Sequence, residues 1–388
     1  MSYAQVSDLR KFVSPEIVFG VGARRSVANF ARNFGARRVF VVSDPGVQAA
    51  GWLEDVTESL AEAGLEWVEF TGVSSNPRTH EVMAGAELYR ESQCDVIVAV
   101  GGGSPMDCAK GIGIVSANNK PIIDFKGVDT IPVAIPPLVF IPTTAGSSAD
   151  VSQFAIISNP EERTKFAIIS KTVVPDVALI DPETATTMPS FLTACTGVDA
   201  LVHAIEAFVS TGAGPLTDMN ALDAIKLINN SLPRLIQTPD DLKLREDIML
   251  GSLKAGLAFS NAILGAVHAM SHSLGGYLDL PHGLCNAMLL EHVVAYNYER
   301  AQERFKVIAE TMGIDTRGLT ANEIKPRLLQ QLVQLKAEVG ICQTLSVSGV
   351  HKADIPFLSA NAILDPCLIT NPRPSNRRDI ATVYEEAL

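Results

Sequence analysis

Residues 95–111 read DVIVAVGGGSPMDCAKG. The apolar run Val96 to Val100 meets three glycines with no spacer, and Ser104, Pro105 and a set of helix formers follow. A short β-branched run leading into such a compact turn predicts a strand followed by a helix. The glycines let backbone N–H groups close on an anion, Ser104 suits a cap and Pro105 suits a first helical turn. The turn is neither the GxGxxG fingerprint nor a Walker A loop, so alone it predicts either a phosphate cradle or a plain tight turn.

The neighbouring sequence favours the cradle. Arg38 to Asp44 and Trp67 to Phe70 are further strands between helical stretches, and Leu138 to Pro142 runs directly into Thr143-Thr144. Strands alternating with helices predict βαβ units, in which ligands collect beyond the carboxyl ends of the strands. Asp44, the GGGS turn and Thr143-Thr144 all occupy such ends, which suggests a dinucleotide. An acid at the position of Asp44 binds ribose hydroxyls and repels a 2′-phosphate, pointing to NAD; its alternative role is to cap the helix starting near Pro45.

After Asp181-Pro182 the β-like runs cease. Segments 190–212, 217–236, 241–277 and 300–312 carry apolar residues at helical spacing, while 118–137 reads as a Pro-rich loop. The expectation is an α/β dinucleotide-binding domain over 1–184 and an all-helical domain over 185–388, with a ligand in the cleft between them.

Composition narrows the function. A net charge of −12 disfavours nucleic acid and anionic membranes as partners. The six cysteines are scattered singly, and the N-terminus MSYAQVSDLRKF is charged where an export signal needs an apolar run, so a cytoplasmic location is expected. The stretch Ala255 to Leu278 lacks Asp, Glu, Lys and Arg, yet Asn261, His268 and His272 are costly in lipid. Gly275-Gly276 should break it, so one or two buried helices are expected rather than a membrane span.

That stretch runs into the chemistry. GAVHAMSHSLGGYLDLPHG, residues 265–283, holds three of the seven histidines, and Asp199 and His203 lie four apart upstream. Residues four apart share a helix face, so Asp199 with His203, and His268 with His272, can each aim two side chains at one spot. Those four and His282 are five candidate ligands without a thiol, a set that suits Fe(II) or catalytic Zn(II). A lone histidine is more often a satisfied core group, but five clustered candidates favour a metal.

Assembled, these motifs resemble the iron-containing (group III) alcohol dehydrogenase family over essentially the whole chain. The matches are GGGSPMDCAK at 101–110, IPTTAGSSADV at 141–151, the TGVDALVHAIE run ending at Glu206, and GxxHxxxHxxGxxxxxPHG at 265–283. The resemblance implies the dehydroquinate synthase-like fold, a Rossmann-like domain followed by a helical one. It implies metal ligands at Asp199, His203, His268 and His282, with His272 left near the nicotinamide as a proton shuttle. Cofactor contacts carry over to Asp44, Asn76, Gly102, Gly103, Ser104, Thr143, Thr144, Ser147 and Lys165. Phe259 lines the implied substrate pocket, and Phe154 is a second candidate for it. Ser271 and Asp150 stand where the family pattern often has Ala and Glu, neither at a ligand position.

The resulting expectation is an NAD- and metal-dependent dehydrogenase of a small, primary alcohol, using Fe(II) or Zn(II). A homodimer or larger homo-oligomer is expected, assembled through the strand near Glu16 to Phe19. The rival readings are a zinc polyol dehydrogenase of the glycerol type and a dehydrogenase-like regulatory sensor.

Overall fold

A computed structural model describes residues 10–388; the first nine residues, part of the N-terminal segment read above, lie outside the described residues. The first half contains strands β1 (Glu16–Phe19), β2 (Arg38–Val42), β3 (Glu66–Phe70), β4 (Val96–Gly101), β5 (Gly127–Val128), β6 (Leu138–Pro142), β7 (Phe154–Asn159), β8 (Thr164–Ile169) and β9 (Val177–Ile180). Between them lie helices α1 (Val27–Asn33), α2 (Pro45–Ala49), α3 (Trp52–Glu62), α4 (Thr79–Glu91) and α5 (Gly103–Asn118). The main sheet runs β1-β9-β6-β4-β2-β3 with every pair parallel.

The winding direction reverses between β2 and β4, so the strand ends carrying Asp44, Gly101 and Thr143 are neighbours. In doubly wound sheets this reversal opens a crevice at the carboxyl ends. Strand β4 is buried throughout, the habit of a central parallel strand covered on both faces. Alternate residues feed two cores, with Phe40, Ile97 and Phe140 on one face and Val39, Val98 and Ile141 on the other. Each such burial is worth about 1.5–3 kcal/mol.

Residues 118–137 are more than a loop, holding a short helical turn at Ile122–Phe125 and strand β5. Strand β5 pairs with β8, which forms an antiparallel hairpin with β7. This small second sheet did not emerge from the sequence, because short apolar runs do not distinguish strand from buried helix. It carries Phe154 and Lys165 to the cleft.

Among the described residues no strand follows β9. The second half is helical: α6 (Ser190–Val209), α7 (Pro215–Gln237), α8 (Leu242–Ala262), α9 (Ala266–Leu278), α10 (His282–Asn297), α11 (Gln302–Thr311), α12 (Ala321–Glu338), α13 (Ile355–Ala362) and α14 (Arg377–Glu386). Its core takes in Ala178 and Ile180 of β9, so the sheet edge and the helices share apolar packing.

The apolar stretch expected to break at Gly275-Gly276 breaks earlier. Helices α8 and α9 meet at 101° across Ile263, Leu264 and Gly265, and Gly275 and Gly276 lie inside α9. A Cβ on Gly276 would press within 2.8 Å of the backbone of Thr164 and Lys165, so the pair serves close packing on β8. Helix α6 is long and apolar enough to cross a membrane, but 89% of that window is buried inside the fold.

Candidate metal and dinucleotide site

The two halves enclose one cleft of about 870 Å³. Every residue singled out as a cofactor contact, metal ligand, proton shuttle or pocket wall lines it. On the sheet side, α5 begins at the GGGS turn with Gly102 as its N-cap and no side chain capping it. Ser104 is not that cap; its Oγ instead accepts the N–H of Asn76 at 3.2 Å. Asn76 Oδ1 accepts from Lys165 Nζ at 2.7 Å, and its amide reaches across the cleft to Asp279 Oδ1 at 2.9 Å. Burial lowers the pKa of Lys165.

A Cβ on Gly103 would come within 2.8 Å of Ser147 Oγ, so the backbone can approach that wall only as glycine. Asp44 fills the alternative role foreseen for it, its Oδ1 accepting the Val47 N–H at 3.0 Å as the N-cap of α2, and it also lines the cleft.

On the helical side, Asp199 and His203 extend from one face of α6, His268 from α9 and His282 from the first turn of α10. Asp199 Oδ1 lies 4.0 Å from His203 Nε2, 3.9 Å from His268 Nε2 and 3.8 Å from His282 Nε2. The donor atoms all fall within 4.8 Å of one another. Helix α10 approaches α6 so closely that a Cβ on Gly283 would lie 2.3 Å from the Cys195 carbonyl oxygen, which explains the glycine in the PHG motif.

Burial disfavours charge on these groups. It holds His203 near a pKa of about 3, puts His268 and His282 well below the ordinary range, and raises Asp199 and, to about 8, Glu206. Neutral imidazoles beside buried carboxylates form a donor set lacking positive charge. Three nitrogens and one oxygen without a thiol could hold a divalent cation such as Fe(II) or Zn(II).

Spacing had left five candidates, and the structure separates one. His272 sits beside the cluster with its ring stacked on His282 at 5.3 Å, but its Nδ1 is engaged by Asp365 Oδ2 at 2.8 Å. Burial alone would raise the pKa of Asp365, yet His272 and the Cys367 N–H hold it below the usual value. Phe259 stacks on His203 at 4.3 Å and meets Phe154 edge-on at 5.6 Å, forming an apolar wall that Leu264 extends.

Sequence reading missed several neighbours. Asn286 Nδ2 donates to Asp199 Oδ1 at 2.5 Å and lies 3.1 and 3.3 Å from Nε2 of His268 and His282. Ser271, set apart from the ligand positions, has its Oγ 3.3 Å from His282 Nδ1. Asp365 lies 93 residues beyond His272 with no local pattern tying the two together. Glu206 ended a recognised motif without a role, although with Asp199 and His203 it continues one stripe along α6.

Comparison with known proteins identifies the family. Residues 14–182 match the iron-containing alcohol dehydrogenase family, and 193–388 match the C-terminal region of the Fe-containing alcohol dehydrogenase family. The chain is 40% identical to the 1,3-propanediol dehydrogenase of Citrobacter freundii over 95% of its own length and 96% of that protein. It is 37% identical to the NAD-dependent methanol dehydrogenase of Bacillus methanolicus, covering 97% and 99%. A crystal structure of a 1,3-propanediol oxidoreductase superposes with a TM-score of 0.95 at 38% identity, covering 98% of this chain and all of that one. Matched in sequence and fold over nearly its whole length, the chain belongs to the iron-containing alcohol dehydrogenase family of oxidoreductases.

Proposed function

We propose that this chain is an NAD-dependent dehydrogenase that interconverts a small primary alcohol and its aldehyde, with Fe(II) or Zn(II) held by Asp199, His203, His268 and His282. The observation that carries the reading is that one and the same cleft has an uncapped glycine-rich helix start on one wall and a buried N₃O donor cluster on the other. A divalent cation held at the cluster would supply polarisation of the alcohol oxygen, and NAD bound in the cleft would supply the hydride acceptor.

The chain's own groups do the rest. The first N–H groups of α5 at Gly103 and Ser104 would hold the pyrophosphate, Asp44 the ribose hydroxyls, and Asn76, Thr143, Thr144, Ser147 and Lys165 the remainder of the cofactor. Phe154 and Phe259 exclude water from the reacting carbon. With its Nδ1 proton donated to Asp365, His272 presents Nε2 as the atom that takes up the hydroxyl proton and returns it in the reverse direction.

The relatives named for propanediol and methanol support a short primary alcohol as substrate. Free cysteines throughout support a reducing, cytoplasmic setting. The edge position of β1 supports a homodimer formed through Glu16–Phe19. The sheet's end at β9 supports a domain boundary at 184/185.

The test is absorbance of reduced nicotinamide, using protein loaded anaerobically with iron or zinc and a series from methanol to butanol plus 1,3-propanediol and glycerol. Metal-dependent signal lost in His268→Ala is expected. Silence across the series with NAD and metal both bound contradicts the proposal and favours the sensor reading.

A further inference from the structure

Helix α9 starts at Ala266 behind Gly265, which has no side chain to cap it. The exposed N–H groups of such a start need acceptors from elsewhere. They find them on other elements: Asn371 Oδ1 accepts from Ala266 N at 3.0 Å, and Glu206 Oε1 accepts from Val267 N at 2.7 Å. Glu206 Oε2 lies 3.3 Å from His268 N and 2.6 Å from His268 Nδ1. This carboxylate is 3% exposed, and a Cβ on Gly265 would come within 2.9 Å of it, so the glycine makes room for it.

We infer that Glu206 is a positioning residue for the metal site, fixing the ring and tautomer of His268 through Nδ1 so that the Nε2 lone pair faces Asp199. The inference rests on the proposed ligand role of His268. Both Glu206 oxygens take N–H groups of α9 and Asn286 Nδ2 faces His268 Nε2, the setting of an ionised carboxylate against the burial that raises its pKa. Such a group accepts only, so the 2.6 Å contact places the ring proton on Nδ1 and leaves Nε2 bare. Asp199, His203 and Glu206 form a stripe on α6 in which two residues face the donor cluster directly and the third aims a donor borne by α9. One helix thereby sets the geometry of ligands on two.

Glu206→Gln separates this role from simple capping. If the amide oxygen stays on Val267 N, the NH₂ faces Nδ1 and drives the ring proton to Nε2; the flipped amide sets NH₂ against the Val267 N–H. Chelator competition on the metal-loaded full chain should show affinity falling roughly 10- to 100-fold, with circular dichroism and NAD affinity unchanged. Parental metal affinity in folded Glu206→Gln overturns the inference. If that variant does not fold, nitrogen-15 shifts of labelled histidine in the metal-stripped parent carry the test: protonation of His268 at Nδ1 is expected, and protonation at Nε2 overturns it. His268→Ala run alongside keeps the two readings apart, because parental metal affinity there defeats the ligand assignment itself.

Discussion

Two helices begin at the same cleft behind a glycine, and they resolve the same electrostatic problem in opposite ways. Helix α5 starts at Gly103 with no side-chain cap, on the wall built by the ends of β2, β4 and β6. Helix α9, starting at Ala266, has its free N–H groups met from inside by Glu206 and Asn371. The open start is suited to an anion arriving from solution, whereas the filled start anchors a ligand-bearing helix rigidly. A backbone cradle needs glycine and little else, while a donor cluster needs buried ionisable side chains with partners of their own.

If the helical wall alone holds the cation, the largest effect belongs there. Asp199→Ala should lower alcohol oxidation on the order of 10³-fold or more, the equivalent of several kcal/mol of lost polarisation. Elemental analysis should find little metal, while NAD titration stays within about twofold of the parent. His272→Ala sharpens the contrast within that wall. Turnover should fall about 10²-fold with bound metal intact, and metal loss would instead make His272 a ligand.

The cradle is probed next. Gly103→Ala, whose Cβ would press on Ser147, should raise the KM for NAD about tenfold, one or two hydrogen bonds' worth, with metal content unchanged. An unchanged KM would show that the cofactor does not use that turn. The smallest effect is expected at Asp44, which caps α2. Asp44→Ala should cost about 1 kcal/mol in urea unfolding and raise the NADP to NAD activity ratio. A stability loss with the ratio unchanged would reduce Asp44 to its capping role.

Legibility divided along the same line. The cradle announced itself because β4 and its glycines are contiguous, and the metal motif because Asp199 and His203 are local pairs on one helix. Spacing did not choose among five ligands, since His272 and His268 share a helix face; their partners, Asp365 and Glu206, come from distant segments. The break between α8 and α9 was misplaced for a related reason. Ile263, at φ 64° in a region a β-branched residue seldom adopts, packs against the helical core, a contact between distant segments. Gly275 and Gly276 look like breakers only because β8, whose Lys165 side chain the first admits and whose backbone the second admits, is not visible in the sequence.

The most direct test of the account is anomalous X-ray diffraction from crystals of the metal-loaded protein at the iron or zinc edge. The account predicts one peak, roughly 2.0–2.2 Å from a carboxylate oxygen of Asp199 and from Nε2 of His203, His268 and His282. A peak that takes in His272 or omits Asp199 would contradict it.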